Sequence, residues 1–205
     1  MISAKREAQA TPLGSGAFDL VACASSAGGL HALSELLSRL PVDFQAAITA
    51  VQHLDRRHRS LMADILSRRT RLSVKEAEAA EKLRVGTVYI APPDHHLLVN
   101  PDGRLALADS ELVHFLRPSA DLLFESVAAS FRDRAIGVVL TGTGKDAAMG
   151  VTAIKSMGGT VIAQDPKTAE FPGMPEAAIA TGKVDFVLPL AEIADALVTL
   201  IMKGD

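Results

Sequence analysis

The protein has 205 residues, 48% of them hydrophobic and 22% charged, with a formal net charge of −3. That length and balance describe a globular chain built on one core. No basic block stands out, which disfavours a nucleic-acid binder, and no stretch of ~18 apolar residues exists to span a membrane. A single cysteine, Cys23, excludes an internal disulfide framework and a multi-cysteine zinc cluster.

Residues 1–18 open with MISAKREAQATPLGSGA, which carries early charges and lacks the apolar stretch of a signal peptide. They are expected to form a disordered tail ahead of one domain over 19–205, and the protein is expected to be cytoplasmic. DLVACA (19–24) reads as the first strand, and Cys23 within it reads as a buried small hydrophobe rather than a reactive thiol. The run stops at Ser25 and Ser26. Gly28 and Gly29 then open a helical pattern over 27–38, with Leu30, Leu33, Leu36 and Leu37 on one face.

AAITAVQH (46–53) reads as the second strand and ends on His53. A helix follows over 58–68, with Leu61, Ile65 and Leu66 on one face, and then the strands SVKEA (73–77) and GTVYIAP (86–92). HHLLVNPDGRLALAD (95–109) has two short apolar runs around Asn-Pro-Asp-Gly. That is a turn signal for a β-hairpin, expected at one edge or end of the sheet. Leu122, Leu123, Val127 and Phe131 give a helix over 119–131, capped by Ser119 or Asp121.

The strand AIGVVLTG (135–142) leads into TGTGKD and Asp146. Helices over 145–157, 174–182 and 191–202 alternate with strands at 159–164 and 185–190. Several strands are continuously apolar, as expected when helices cover both faces of a sheet. The pattern predicts an α/β, doubly wound fold: a mostly parallel sheet of about seven strands, with helices on both faces and one antiparallel hairpin.

In such sheets, ligands collect beyond the carboxyl ends of the strands. Ser25 and Ser26 follow the first strand, His53 ends the second, and Asp146 follows the strand at 135–142. A hydroxyl nucleophile needs a base to take its proton and a carboxylate to orient that base, so these types suit acyl transfer. Each also has a commonplace explanation: a helix N-cap, a hydrogen-bonded structural histidine, an Asx turn. Gly28-Gly29 at a helix start would also suit an anion, but neither G-x-G-x-x-G nor the Walker pattern fits, and TGTGKD ends in Asp where Ser or Thr should bind magnesium. An α/β-hydrolase is disfavoured by chain order, since its triad runs Ser, acid, His.

Taken together, ASSAGGL (24–30), VQH (51–53), VYIAPPDHH (88–96), RPSAD (117–121), GVVLTGTGKDAAMG (137–150) and AEFPGMPEAAI (169–179) resemble the catalytic domain of the chemotaxis protein-glutamate methylesterases. The resemblance implies hydrolysis of glutamyl methyl esters on bacterial chemoreceptors, with glutamine deamidation as a second activity it allows. It places the nucleophile at Ser26, the base at His53 and the acid at Asp146. Ala27, Gly28, Gly29 and Thr143 fall where the oxyanion or substrate would be held, while Arg117, Met174 and Pro175 are expected to line or shape the cleft.

No cofactor or metal is implied. The expected partners are the cytoplasmic helices of methylated receptors and a separate regulatory protein, without nucleic acid or membrane insertion. The resemblance implies a phosphorylatable receiver domain at the start of full-length members; residues 1–18 are too few to form one, whether the chain is a stand-alone esterase or an excised catalytic part. Ala24 and Ala27 depart from the family pattern, which alanine tolerates unless φ is positive there. Leu116 is a third departure. The rival readings are a same-fold hydrolase acting on another protein ester or amide, and a non-catalytic docking module.

Overall fold

The computed structural model describes residues 18–53, 61–112 and 116–202. The tail expected over the first residues, and residues 58–60 of the expected second helix, lie outside the described residues. The elements run β1 (Leu20–Ser25), α1 (Gly29–Arg39), β2 (Ala47–Gln52), α2 (Met62–Ser67), β3 (Ser73–Glu76) and β4 (Thr87–Ile90). A hairpin of β5 (His96–Val99) and β6 (Leu105–Ala108) precedes α3 (Ala120–Phe131) and β7 (Ala135–Val139). The chain then forms α4 (Ala148–Ser156), β8 (Thr160–Gln164), α5 (Gly173–Ala180), β9 (Phe186–Leu188) and α6 (Leu190–Met202).

Seven strands form one sheet in the order β3-β4-β2-β1-β7-β8-β9, and every pairing in it is parallel. The apolar runs follow from burial on both faces. In β1, Leu20, Ala22 and Ala24 face one core cluster while Val21 and Cys23 face the other. The first cluster is closed by α3, α4 and α5 through Leu123, Phe124, Val127, Val151, Ile154 and Met174. The second is closed by α1, α2 and α6 through Leu33, Leu36, Leu37, Leu66, Ile193 and Leu197. Cys23 lies wholly inside, where burial pushes its thiol up to about 12, so it stays protonated and inert.

The hairpin is a separate two-stranded antiparallel sheet rather than an edge of the main one. It sits against α3, where Ser126 Oγ accepts from the Val99 N–H (3.1 Å) and Ser130 Oγ donates to the Val99 carbonyl (2.8 Å). Those serines occupy the backbone groups of β5 that a sheet neighbour would otherwise take.

Two leucine stripes differ from the periodicity reading. Leu30 of α1 and Ile65 of α2 are each 38% exposed, and Leu61 is exposed, while Met62 and Leu66 carry the burial of α2. Leu30 and Ile65 wall a cavity instead of the core.

The chain leaves β1 toward β2 on one side and returns to β7 on the other. The carboxyl ends of these three central strands therefore form the switch point of the sheet, where loops diverge and leave a crevice.

Candidate active site

Ser26, His53 and Asp146 all lie at this switch point. The strand ends are tied by backbone bonds: Ser26 N–H to Thr141 O (3.0 Å), His53 N–H to Ser25 O (3.2 Å) and Leu140 N–H to Ala24 O (2.9 Å). Ser26 lines a cavity of about 570 Å³ together with Ala27, Gly28, Gly29, Gln52 and His53. The wall opposite α1 comes from Ile65 and Arg69.

The His53 Nε2 lies 2.8 Å from Asp146 Oδ2. A carboxylate there fixes the proton on Nε2 and leaves the Nδ1 lone pair as the ring's basic site. Asp146 is itself held by three further donors. Ala120 N–H reaches Oδ2 (2.6 Å), while Asp121 N–H (3.0 Å) and Ser119 Oγ (3.1 Å) reach Oδ1. These are groups at the start of α3, so the helix end solvates the buried charge. Burial alone would push the Asp146 carboxyl up, but the bonds from His53, Ala120 and Asp121 outweigh it and hold it below its ordinary value.

Ser119 is the N-cap of α3, its hydroxyl accepting from Leu122 N–H while also donating to Asp146. Its own N–H donates to the Nδ1 of the buried His96 (3.1 Å), whose Nε2 lies 3.2 Å from the Glu111 carbonyl. Since a backbone N–H can only donate, His96 is a neutral imidazole protonated on Nε2.

The turn carrying Ser26 is built by its neighbours. Ser25 Oγ donates to Gln52 Oε1 (2.7 Å), and Gln52 Nε2 donates to the Ser26 carbonyl (2.6 Å). Gly29 N–H also donates to the Ser26 carbonyl (2.8 Å), so that group is occupied. The N–H groups of Ala27 and Gly28 make no backbone bond among the described residues, and both residues line the cavity. Gly28 adopts φ 75° at the N-cap of α1, whereas neither Ala24 nor Ala27 has positive φ. Alanine at those two departures therefore carries no backbone strain.

At Gly29 a Cβ would sit 2.0 Å from Gln52 Oε1 and 2.7 Å from Ser25. Gly29→Ala is accordingly expected to destabilise the fold by about 1–3 kcal/mol, read as a lower midpoint in chemical denaturation. An unchanged midpoint would show that Gln52 moves aside freely.

Residues 21–197 match the family model described as CheB methylesterase. The chain belongs to the CheB methylesterase family. A putative protein-glutamate methylesterase/protein-glutamine glutaminase of Leptospira interrogans is 40% identical over 183 residues, covering 89% of this chain and 95% of that protein. The protein-glutamate methylesterase FrzG of Myxococcus xanthus is 43% identical over 194 residues, 95% of this chain but 57% of its own length. A protein-glutamate methylesterase/protein-glutamine glutaminase of Cupriavidus pinatubonensis is 45% identical over 87% of this chain and 52% of its own. The chain thus spans about half the length of several relatives and nearly all of one. The crystal structure of the Thermotoga maritima CheB methylesterase catalytic domain superposes with a TM-score of 0.86 at 37% identity, covering 89% of this chain and 98% of that one.

Within this CheB methylesterase fold, the remaining predicted positions are distributed unevenly. Met174 is buried beside the Ser26 turn: a Cβ at Gly142 would meet Met174 Sδ at 2.3 Å and Ser26 Cβ at 2.8 Å. Pro175 is buried in the first turn of α5. Thr143 is exposed on the loop ahead of Asp146. Arg117 donates to Asp94 Oδ1 from Nε (3.0 Å) and from one terminal nitrogen (2.8 Å), and to the carbonyls of Asp109 and Ser110. It braces the exit of the hairpin and is absent from the lining of the Ser26 cavity.

Gln52 and His96 are not singled out from sequence, and Ser119 and Asp121 only as candidate caps of α3. Each sits inside a segment that carried the family resemblance, and only the three-dimensional contacts reveal what it holds. Among the described residues, no helix is long and apolar enough to cross a membrane.

Proposed function

We propose that the protein is a serine hydrolase that demethylates glutamyl methyl esters on bacterial chemoreceptors, and by the same chemistry deamidates glutamines. The observation that carries this reading is the 2.8 Å contact between His53 Nε2 and Asp146 Oδ2 in a cleft whose wall also contains Ser26. Names of relatives that span most of the chain support the substrate class.

In this reading Ser26 Oγ attacks the ester carbonyl while His53 Nδ1 takes its proton. Asp146 keeps the Nε2 proton in place and stabilises the imidazolium that forms. The tetrahedral oxyanion lies against the N–H groups of Ala27 and Gly28, the free donors at the start of α1. Collapse expels methanol, which receives the proton from His53. A water molecule, deprotonated by His53, then attacks the acyl-Ser26 ester and releases the glutamate side chain. With a glutamine substrate the leaving group is ammonia.

Gly28 has a physical part here: its φ is 75° and a Cβ would lie 2.9 Å from Glu170 Oε2 and 3.2 Å from Thr141, so glycine suits the turn that follows Ser26. Arg117 braces the exit of the hairpin through its bonds to Asp94. The test is methanol release from methylated chemoreceptor cytoplasmic fragments, with wild type compared to His53→Ala. Release by wild type and its loss in the variant are expected. No release, or equal release by both, would reject the assignment.

A further inference from the structure

We propose that Asp121 is a positioning residue for Asp146: it locks the starts of α3 and α4 together and ionises only after Asp146 carries the negative charge. The proposal rests on the reading of Ser26, His53 and Asp146 as a catalytic set. The two aspartates exchange helix ends. Asp146, just ahead of α4, accepts from the N–H groups of Ala120 and Asp121 at the start of α3. Asp121, in the first turn of α3, accepts from the N–H of Gly150 in the first turn of α4 at 2.7 Å. Each carboxyl thus satisfies orphan donors of the opposite helix. A shift of either helix would pull Asp146 away from His53.

Crowding decides where the charge goes. Both side chains are nearly inaccessible, at 4% and 5% exposure, so ionising one makes ionising the other costlier. Among the described residues Asp146 receives four donors, including the His53 ring, whereas Asp121 receives one. The charge therefore settles first on Asp146, and Asp121 is the carboxyl that gives up its proton second.

The other titratable groups around Asp121 reinforce this. Glu125, one turn along α3, adds negative charge. His53 lies beyond Asp146, and His96, reached through Ser119, is a neutral ring. Among the described residues neither carboxyl is paired with a lysine or arginine. In keeping with this geometry, burial pushes the Asp121 carboxyl up to about 6; the Gly150 N–H opposes that rise in part, and the neighbouring Asp146 charge adds to it.

A close approach of backbone supports the same lock. A Cβ on Gly150 would meet Phe124 Cβ at 2.4 Å and the Asp121 carbonyl at 3.2 Å, so only glycine lets α4 reach Asp121. Ala147, the N-cap of α4, takes a left-handed φ of 87° immediately after Asp146. Strain of this kind persists only where surrounding contacts over-determine the backbone.

Two measurements test the proposal. Carboxyl ¹³C NMR of the labelled protein across the range from about pH 3 to 8 is expected to show one aspartate titrating near pH 6, absent in Asp121→Asn. No aspartate titrating above about pH 5, or the same titration persisting in the variant, would overturn the proton assignment. In steady-state methanol release, Asp121→Asn keeps an acceptor for Gly150 and is expected to retain most of kcat. Asp121→Ala is expected to lower kcat roughly 10- to 100-fold with a smaller change in KM.

Equal kcat in Asp121→Ala and wild type would overturn the positioning role. Should Asp121→Ala fail to fold, the NMR titration of wild type and Asp121→Asn still decides the proton's location. A wild type that titrates as expected yet releases no methanol would sink the proposed function and leave the order of ionisation of the two aspartates standing.

Discussion

Ser26→Ala is expected to lower kcat/KM by on the order of 10⁵–10⁶-fold while leaving the fold intact. The loss follows because no acyl-enzyme can form without the Oγ nucleophile, and the residual rate then comes from binding and oxyanion stabilisation alone. The fold survives because the backbone holds Ser26 in place. Its N–H bonds to Thr141, and its carbonyl accepts from Gln52 and Gly29. Ser25→Ala is the informative contrast. Ser25 Oγ is buried and bonded to Gln52 Oε1, so its removal leaves a buried acceptor short of a partner. That variant is expected to lose about 1–3 kcal/mol of stability and to keep a far larger share of activity. Steady-state kinetics and chemical denaturation of the two variants separate the roles. Greater catalytic damage from Ser25→Ala than from Ser26→Ala would reverse the assignment.

The second large effect belongs to Asp146→Asn, expected to lower kcat about 10⁴-fold through the histidine tautomer. An amide –NH₂ facing His53 Nε2 donates to it and moves the ring proton to Nδ1, the nitrogen needed as base. Rotating the amide returns an acceptor to Nε2 only by turning –NH₂ onto the Asp121 N–H, so the catalytic loss holds to the extent that the first orientation is populated. One orientation sets –NH₂ against the Ala120 N–H, now 2.6 Å from Oδ2, and the other sets it against the Asp121 N–H, now 3.0 Å from Oδ1. A buried donor is unsatisfied either way, at a cost of about 1–3 kcal/mol in stability. A variant as active as wild type would show that His53 does not depend on Asp146.

The same carboxyl pair shapes stability against pH. Asp146 is held below its ordinary value, so its contribution is present above the unfolded value of about 3.9 and is lost as pH falls below that. Asp121 is raised to about 6, so its contribution is complete below about pH 4 and is lost as pH rises through 6. Denaturation of wild type and Asp121→Asn from about pH 4 to 7 is therefore expected to show wild type losing stability relative to the variant. Parallel curves would contradict the raised value.

Much of the fold was legible because its signals are local. Strands such as β1 and β2 are apolar on both faces, and Asn100–Gly103 marks the hairpin turn. Leu30 and Ile65 misled the periodicity reading because an apolar side chain lining a cleft has the same spacing as one in a core. The positions of Ser26, His53 and Asp146 at strand ends followed from the α/β rhythm, but their mutual geometry did not. The supports of the site were not legible either. Nothing in the sequence distinguishes Gln52, which bonds the Ser26 carbonyl, from a strand-end polar residue, or Asp121 from an ordinary first-turn acid.

The central claim is that Ser26 is a nucleophile activated by His53. Its most direct test is covalent labelling of the folded protein by a fluorophosphonate, with the modified peptide located by mass spectrometry. The account predicts one adduct on Ser26, formed at a rate that collapses in His53→Ala and absent in Ser26→Ala. An adduct on Ser25 or elsewhere, or no adduct on protein shown to be folded, would contradict it.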